Sequence, residues 1–146
     1  QIATKNKSVN IVYPVHLNPN VMEPVRRILS NLPNVFLIEP VEYLEFIYLM
    51  ERSYLILTDS GGIQEEAPSM GKPVLVMRNH TERPEAVIAG TSLLVGTNID
   101  SIVETTQSLL DDSKRYEEIS YLHNPFGDGT ASDKIIDFIE ERLHES

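Results

Sequence analysis

The residues best placed to do chemistry are a serine and two glycines at positions 60–62, followed by a glutamate at 66. They come after an apolar run at 54–57 that reads as a buried strand, and Thr58-Asp-Ser-Gly-Gly62 turns that strand into a helix beginning near Gly61. With Ser60 as the cap residue, the amides of Gly61, Gly62 and Ile63 lack carbonyl partners within the helix, and the macrodipole adds about half a positive charge there. Such an end suits a phosphate or diphosphate. Glycine puts no Cβ between backbone and ligand, and it accepts positive φ where a turn needs it. Glu66 lies about one and a half turns further in, where a carboxylate can accept hydrogen bonds from a vicinal diol such as a ribose. The same residues also spell an ordinary tight strand-to-helix turn with a serine cap, because Ser-Gly-Gly is far less specific than a full phosphate-binding loop.

The elements that must hold this turn fit in one domain, since 146 residues suffice for a single core. No apolar run approaches the roughly 18 residues needed to span a bilayer, and no secretory signal opens the chain, so a cytoplasmic enzyme or enzyme fragment fits. The absence of cysteine excludes disulfides, thiolate metal sites and thiol catalysis. Acidic residues outnumber basic ones by 22 to 12, and the formal charge of −10 argues against nonspecific binding to nucleic acid or an anionic membrane. An anionic ligand therefore needs helix ends and a few well-placed cations.

Taken in order, the chain predicts the polar tail of a helix at 1–8, a strand at 9–13 stopped by Pro14, and a loop carrying His16. A helix follows at 20–30, with Asn20 as cap and Pro24 in the first turn. Next come a strand at 35–38, a helix at 41–51, the strand at 54–57 and a helix at 61–70 that Pro68 kinks or ends early. A strand at 74–77, a short helix at 81–89 closed by Gly90, a strand at 92–95 and helices at 99–110, 114–120 and 131–144 complete it. Short apolar strands alternating with helices predict an α/β fold, a Rossmann-like parallel sheet with helices on both faces. Ligands then lie outside the carboxyl ends of the strands. His16, residues 40–42, residues 59–62 and residues 79–83 each follow a strand and should share one rim. By default Phe46 is a core aromatic, Arg83 pairs with Glu82 or Glu85 at the surface, Lys72 lies in a turn, and Asp128 caps the last helix. His80, His123 and His144 have no metal-ligand spacing and read as solvated.

Five stretches in succession carry a family likeness. Tyr13-Pro-Val-His-Leu-Asn-Pro-Asn-Val21, Thr58-Asp-Ser-Gly-Gly-Ile-Gln-Glu-Glu-Ala-Pro68, Gly71-Lys-Pro-Val-Leu-Val-Met-Arg78, Thr81-Glu-Arg-Pro-Glu85 and Asn124-Pro-Phe-Gly-Asp-Gly129 together resemble the C-terminal domain of bacterial non-hydrolysing UDP-N-acetylglucosamine 2-epimerases. The resemblance covers essentially the whole chain. It implies one half of a two-domain glycosyltransferase-B-like fold: residues 1–146 as the C-terminal UDP-binding domain, lacking its first strand and most of its first helix, with the N-terminal domain absent. It also implies interconversion of UDP-N-acetylglucosamine and UDP-N-acetylmannosamine at C2, through elimination of UDP to 2-acetamidoglucal and its re-addition, without metal or nicotinamide cofactor.

Carried over position by position, the resemblance places Ser60, Gly61 and Gly62 at the diphosphate, Glu66 on the ribose hydroxyls and Phe46 near the uracil. Arg83 falls at the diphosphate or sugar end of the cleft, where a fixed cation would stabilise the departing diphosphate, the one catalytic role assigned in this chain. His16 matches a residue of a second, regulatory substrate site rather than a catalytic base. The family's acid and base residues lie mainly in the N-terminal domain and in a His-Arg-Arg-Glu type loop that has no counterpart here, so the fragment alone is expected to be inactive. A homodimer through the other domain is implied for the full-length protein. Two other functions fit the same features: a UDP-sugar glycosyltransferase of the same fold, which would release UDP to an acceptor, and a non-catalytic nucleotide-sugar sensing module.

Overall fold

The computed structural model describes residues 1–122 and 124–144, the side chain of His144 excepted. The expectations for His123 and for the side chain of His144 therefore lie outside the described residues.

Five short strands alternate with helices as predicted, and every strand pairing is parallel. Strand β1 (Ile11–Pro14) lies beside β2 (Val35–Ile38), with Ile11 opposite Val35. Strands β3 (Ile56–Thr58), β4 (Val74–Val76) and β5 (Ser92–Leu94) form a second sheet with β4 in the middle. The helices are α1 (Ile2–Lys5), α2 (Pro19–Leu29), α3 (Tyr43–Arg52), α4 (Gly61–Glu66), α5 (Pro84–Ile88), α6 (Ile99–Asp111), α7 (Ser113–Ser120) and α8 (Ala131–His144). No described helix is long and apolar enough to cross a membrane.

The Val-Leu-Val of β4 is apolar throughout because both its faces are buried. Alternation sends Val74 and Val76 to one side, into a cluster with Met50 of α3 and Ala67, joined by Phe46, Ile47 and Ile63. Leu75 points the other way, to Val95 and Leu109, with Ile102 of α6 and Ile119 of α7. Helices thus cover both faces of this sheet. Leu75 and Leu109 are fully buried, each contributing about 1.5–3 kcal/mol relative to exposure.

The strands fall into two sheets rather than one continuous sheet, because no strand among the described residues pairs β1 with β3. Val12 and Phe36, opposite each other in register, leave one face of the first sheet half open, at 46% and 47% exposure. The buried Asn34 amide ties this sheet's surroundings together, donating to the carbonyls of Ala3, Asn6 and Val9 at 2.8–3.0 Å. Asn6 in turn donates to Gln107 of α6 at 2.9 Å.

Three local expectations change. The cap of α2 is Asn18, whose side chain accepts from the Asn20 amide at 3.0 Å, so Asn20 lies inside the helix and Pro24 in its interior rather than its first turn. Pro24 lacks the N–H that would reach the Asn20 carbonyl, and the helix tolerates the loss. Thr130, not Asp128, holds the cap position of α8, since its carbonyl accepts from the Lys134 amide. Asp128 acts one step earlier, accepting from the Thr130 amide at 3.0 Å and its hydroxyl at 2.5 Å. As predicted, Pro68 ends the regular helix early: α4 stops at Glu66 and a 3₁₀ turn (Ala67–Met70) completes it. Gly71 closes that turn at φ 67°, where a Cβ would also meet the Ser120 carbonyl at 3.2 Å.

Candidate functional site

The turn from β3 into α4 is built largely by side chains that hydrogen-bond backbone. Thr58, at 5% exposure, accepts the Ser60 amide on its hydroxyl at 3.0 Å, while its carbonyl accepts the Met77 amide at 2.8 Å and so keeps the ends of β3 and β4 level. Ser60 has the extended conformation of a cap residue (φ −83°, ψ 135°), but its hydroxyl makes no capping bond. Among the described residues no side-chain oxygen accepts from the amides of Gly61, Gly62 or Ile63. Neither Gly61 nor Gly62 has positive φ, so the turn itself does not demand glycine. A Cβ on Gly62 would meet nothing within 4 Å, and one on Gly61 only Glu82 Oε2 at 3.8 Å. What the glycines leave is a backbone open to close approach from outside.

Behind that backbone lies Gln64, which has no exposed surface. Its Nε2 donates to the Ser60 carbonyl at 3.1 Å and its Oε1 accepts from the Thr81 hydroxyl at 2.5 Å. Thr81 Oγ1 also accepts the Arg83 amide at 3.0 Å. The loop after β4 is thereby fastened against the first turn of α4.

Arg83, expected from the sequence to pair with Glu82 or Glu85, instead donates through Nε to Glu65 of α4. It also donates from Nη1 to the Glu82 carbonyl at 3.0 Å. Glu82 spends its carboxylate on Arg78 at 3.2 Å. The hydrogen bond and charge of Glu65 hold the Arg83 guanidinium above its ordinary pKa. Among the described residues Nη2 of Arg83 has no partner, which leaves donors for an incoming anion.

Glu66 is half-buried on the same helix, and among the described residues its carboxylate takes no hydrogen bond or ion pair. Phe46 is half-buried and packs on the cluster that contains Ala67, the residue after Glu66. His16 is exposed in the loop that follows β1 of the other sheet, and its Nδ1 accepts the Asn18 amide at 3.1 Å. The neutral ring therefore carries its proton on Nε2. Of the expected rim, the loops after β3 and β4 are joined by hydrogen bonds, and among the described residues no hydrogen bond or ion pair joins His16 to them. An apolar groove of about 410 Å³ is lined by Ile38, Val41, Leu44, Glu45, Tyr48 and Leu49; of the stretches expected on the rim it includes only Val41. Among the described residues no group of three or more histidine, aspartate and glutamate side chains is arranged to hold a metal ion.

Gln64 and Glu65 complete this site and were not singled out from the sequence, whereas Thr81 lies within the 79–83 stretch expected on the rim. The available signal was positional: β3 and β4 are neighbours, so the residues following each must meet.

Parallel strands with helices on both faces, and a glycine turn at the carboxyl rim, define an α/β domain of Rossmann type. The sequence matches the UDP-N-acetylglucosamine 2-epimerase family over residues 1–140, and the chain belongs to that family. It is 62% identical over 134 residues to a probable UDP-N-acetylglucosamine 2-epimerase of Ralstonia solanacearum, covering 92% of this chain and 36% of that protein. It superposes on the crystal structure of a Listeria monocytogenes protein described as a putative UDP-N-acetylglucosamine 2-epimerase with TM-score 0.92 and 42% identity, covering 99% of this chain and 39% of the other. The Neisseria meningitidis epimerase bound to UDP-GlcNAc matches with TM-score 0.87 and 52% identity, over 95% of this chain and 38% of that one. The chain spans little more than a third of the length of these relatives.

Proposed function

We propose that the protein to which this chain belongs interconverts UDP-N-acetylglucosamine and UDP-N-acetylmannosamine, and that residues 1–146 supply its UDP-binding half. The observation that carries this reading is the pairing of an uncapped, glycine-lined helix start with the unpartnered carboxylate of Glu66 on the same helix. Amides of Gly61 and Gly62, with Ser60, would hold the diphosphate, and Glu66 the ribose hydroxyls. Phe46 would sit near the uracil. In the reaction a base takes the C2 proton and UDP leaves from C1, giving 2-acetamidoglucal; UDP then re-adds at C1 while C2 receives a proton on the opposite face. Arg83 would stabilise the charge that grows on the leaving diphosphate. The acid and base are assigned to parts of the protein outside this chain, which alone would be inactive. His16, in the loop after β1, is read as belonging to a second, regulatory substrate site.

We also infer that this chain forms most of a C-terminal domain whose first strand, and most of whose first helix, come from the rest of the protein. The sheet supports this: the orders β2-β1 and β3-β4-β5 become one doubly wound sheet if a further parallel strand joins β1 to β3. The resemblance also implies a cytoplasmic homodimer, and sedimentation of the full-length protein tests the dimer. The reaction is tested by NMR of the full-length protein with UDP-N-acetylglucosamine in deuterated water. The C2 epimer carrying deuterium at C2 supports the reading. Transfer of the sugar to an acceptor, or binding without change, overturns it.

A further inference from the structure

We propose that Gln64 and Thr81 are positioning residues that hold the Ser60–Gly62 backbone and Arg83 at one fixed separation, so that both address the same diphosphate. This inference rests on the nucleotide reading given above and adds two residues to it.

Three hydrogen bonds link the two halves of the site in one direction. The Arg83 amide donates to Thr81 Oγ1 at 3.0 Å, the Thr81 hydroxyl donates to Gln64 Oε1 at 2.5 Å, and Gln64 Nε2 donates to the Ser60 carbonyl at 3.1 Å. The sense of this chain is fixed. Turning the Gln64 amide over would bring its oxygen against the Ser60 carbonyl, two acceptors with no proton between them. Burial makes that arrangement costly, because Gln64 has no surface open to water that could replace either bond.

The last bond bears on the anion site directly. The Ser60 carbonyl and the Gly61 N–H belong to one planar peptide unit, so fixing the carbonyl fixes the direction in which that N–H points. At the other end, Thr81 holds the backbone of Arg83, while Glu65 holds its guanidinium. The same α4 therefore sets both the amide donors and the cation. Were Gln64 only a core residue, a methionine of similar volume would serve equally well; an amide with both ends committed to loops that carry candidate site residues serves as a spacer.

The test is a double-mutant cycle in the full-length enzyme, reading kcat and KM for UDP-N-acetylglucosamine, Kd for UDP, and melting temperature. Thr81→Val keeps the shape and removes the hydroxyl, and it should lower kcat/KM by about tenfold or more, the order expected for a lost hydrogen bond amplified through position. Thr81→Ser should restore most of the rate. In an Arg83→Ala background, Thr81→Val should cost less than it does with Arg83 present, because the part of its effect that passes through Arg83 is already lost and only the part that passes through Gln64 remains. Gln64→Met should weaken UDP binding even where Arg83 has been removed, because it frees the Ser60 peptide. Equal losses from Thr81→Val with and without Arg83, or full activity in Thr81→Val, would overturn the inference while leaving the nucleotide reading intact. Wild-type protein that neither epimerises the substrate nor binds UDP would defeat both. If Gln64→Met does not fold, the Thr81 variants alone decide.

Discussion

Gly62→Ala should make the folded protein more stable and its nucleotide binding worse. A Cβ at this position meets nothing within 4 Å, and Gly62 lies in α4 without positive φ. Alanine in place of glycine in a helix should therefore add roughly 0.5–1 kcal/mol, because the unfolded chain loses freedom that the folded chain never used. For a domain of this size that is a rise in melting temperature of about 1–4 °C. The added methyl group projects from the backbone that a diphosphate must approach to within hydrogen-bond distance. Two charge-assisted amide bonds are at stake, each contributing roughly 1.5–3 kcal/mol, so losing one weakens UDP binding by about tenfold to a hundredfold. Differential scanning fluorimetry and isothermal titration calorimetry on the full-length protein read the two effects separately. Opposite signs are the expected result. A variant that is stabilised and binds UDP as before refutes the reasoning, since the methyl group would then face empty solvent in the complex too.

The remaining predictions concern charged side chains. Glu66→Ala should weaken UDP binding by on the order of 1–3 kcal/mol with little change in melting temperature, because its carboxylate has no partner among the described residues; titration with UDP and with inorganic pyrophosphate should show the loss only for the nucleotide. Arg83→Ala should lower kcat more than it raises KM if the guanidinium acts on the leaving diphosphate, and steady-state kinetics showing equal losses would reduce it to a binding contact. The Thr130 hydroxyl and amide hold the Asp128 carboxyl below its ordinary 3.8. Its contribution to the start of α8 is therefore complete above that value and lost as pH falls through the lower folded pKa. The NMR shift of the Thr130 amide should titrate below 3.8, and a midpoint at or above it contradicts the bond.

What the sequence made legible was local. The β2 strand could be placed because Val35-Phe-Leu-Ile38 is an uninterrupted apolar run between Asn34 and Glu39-Pro40, and α8 because its apolar spacing starts after Gly129. The turn at Ser60 was readable for the same reason, since strand, turn and helix are neighbours in the chain. Asn18 and Asn20 are chemically identical caps, and only Pro19 at the first helical position discriminates between them. Partners across loops were not legible. Arg83 has carboxylates on both sides in sequence, yet the one it meets is on another helix, brought there by the pairing of β3 with β4. The division into two sheets follows from the lack of a strand between β1 and β3 among the described residues, which the periodicity of the individual strands does not reveal.

A crystal structure of the full-length protein with UDP bound tests the account most directly. It should show a phosphate oxygen within about 3 Å of the Gly61 or Gly62 amide and Glu66 accepting from the ribose hydroxyls. A diphosphate seated away from α4, or a ribose held by other side chains with Glu66 in solvent, would contradict it.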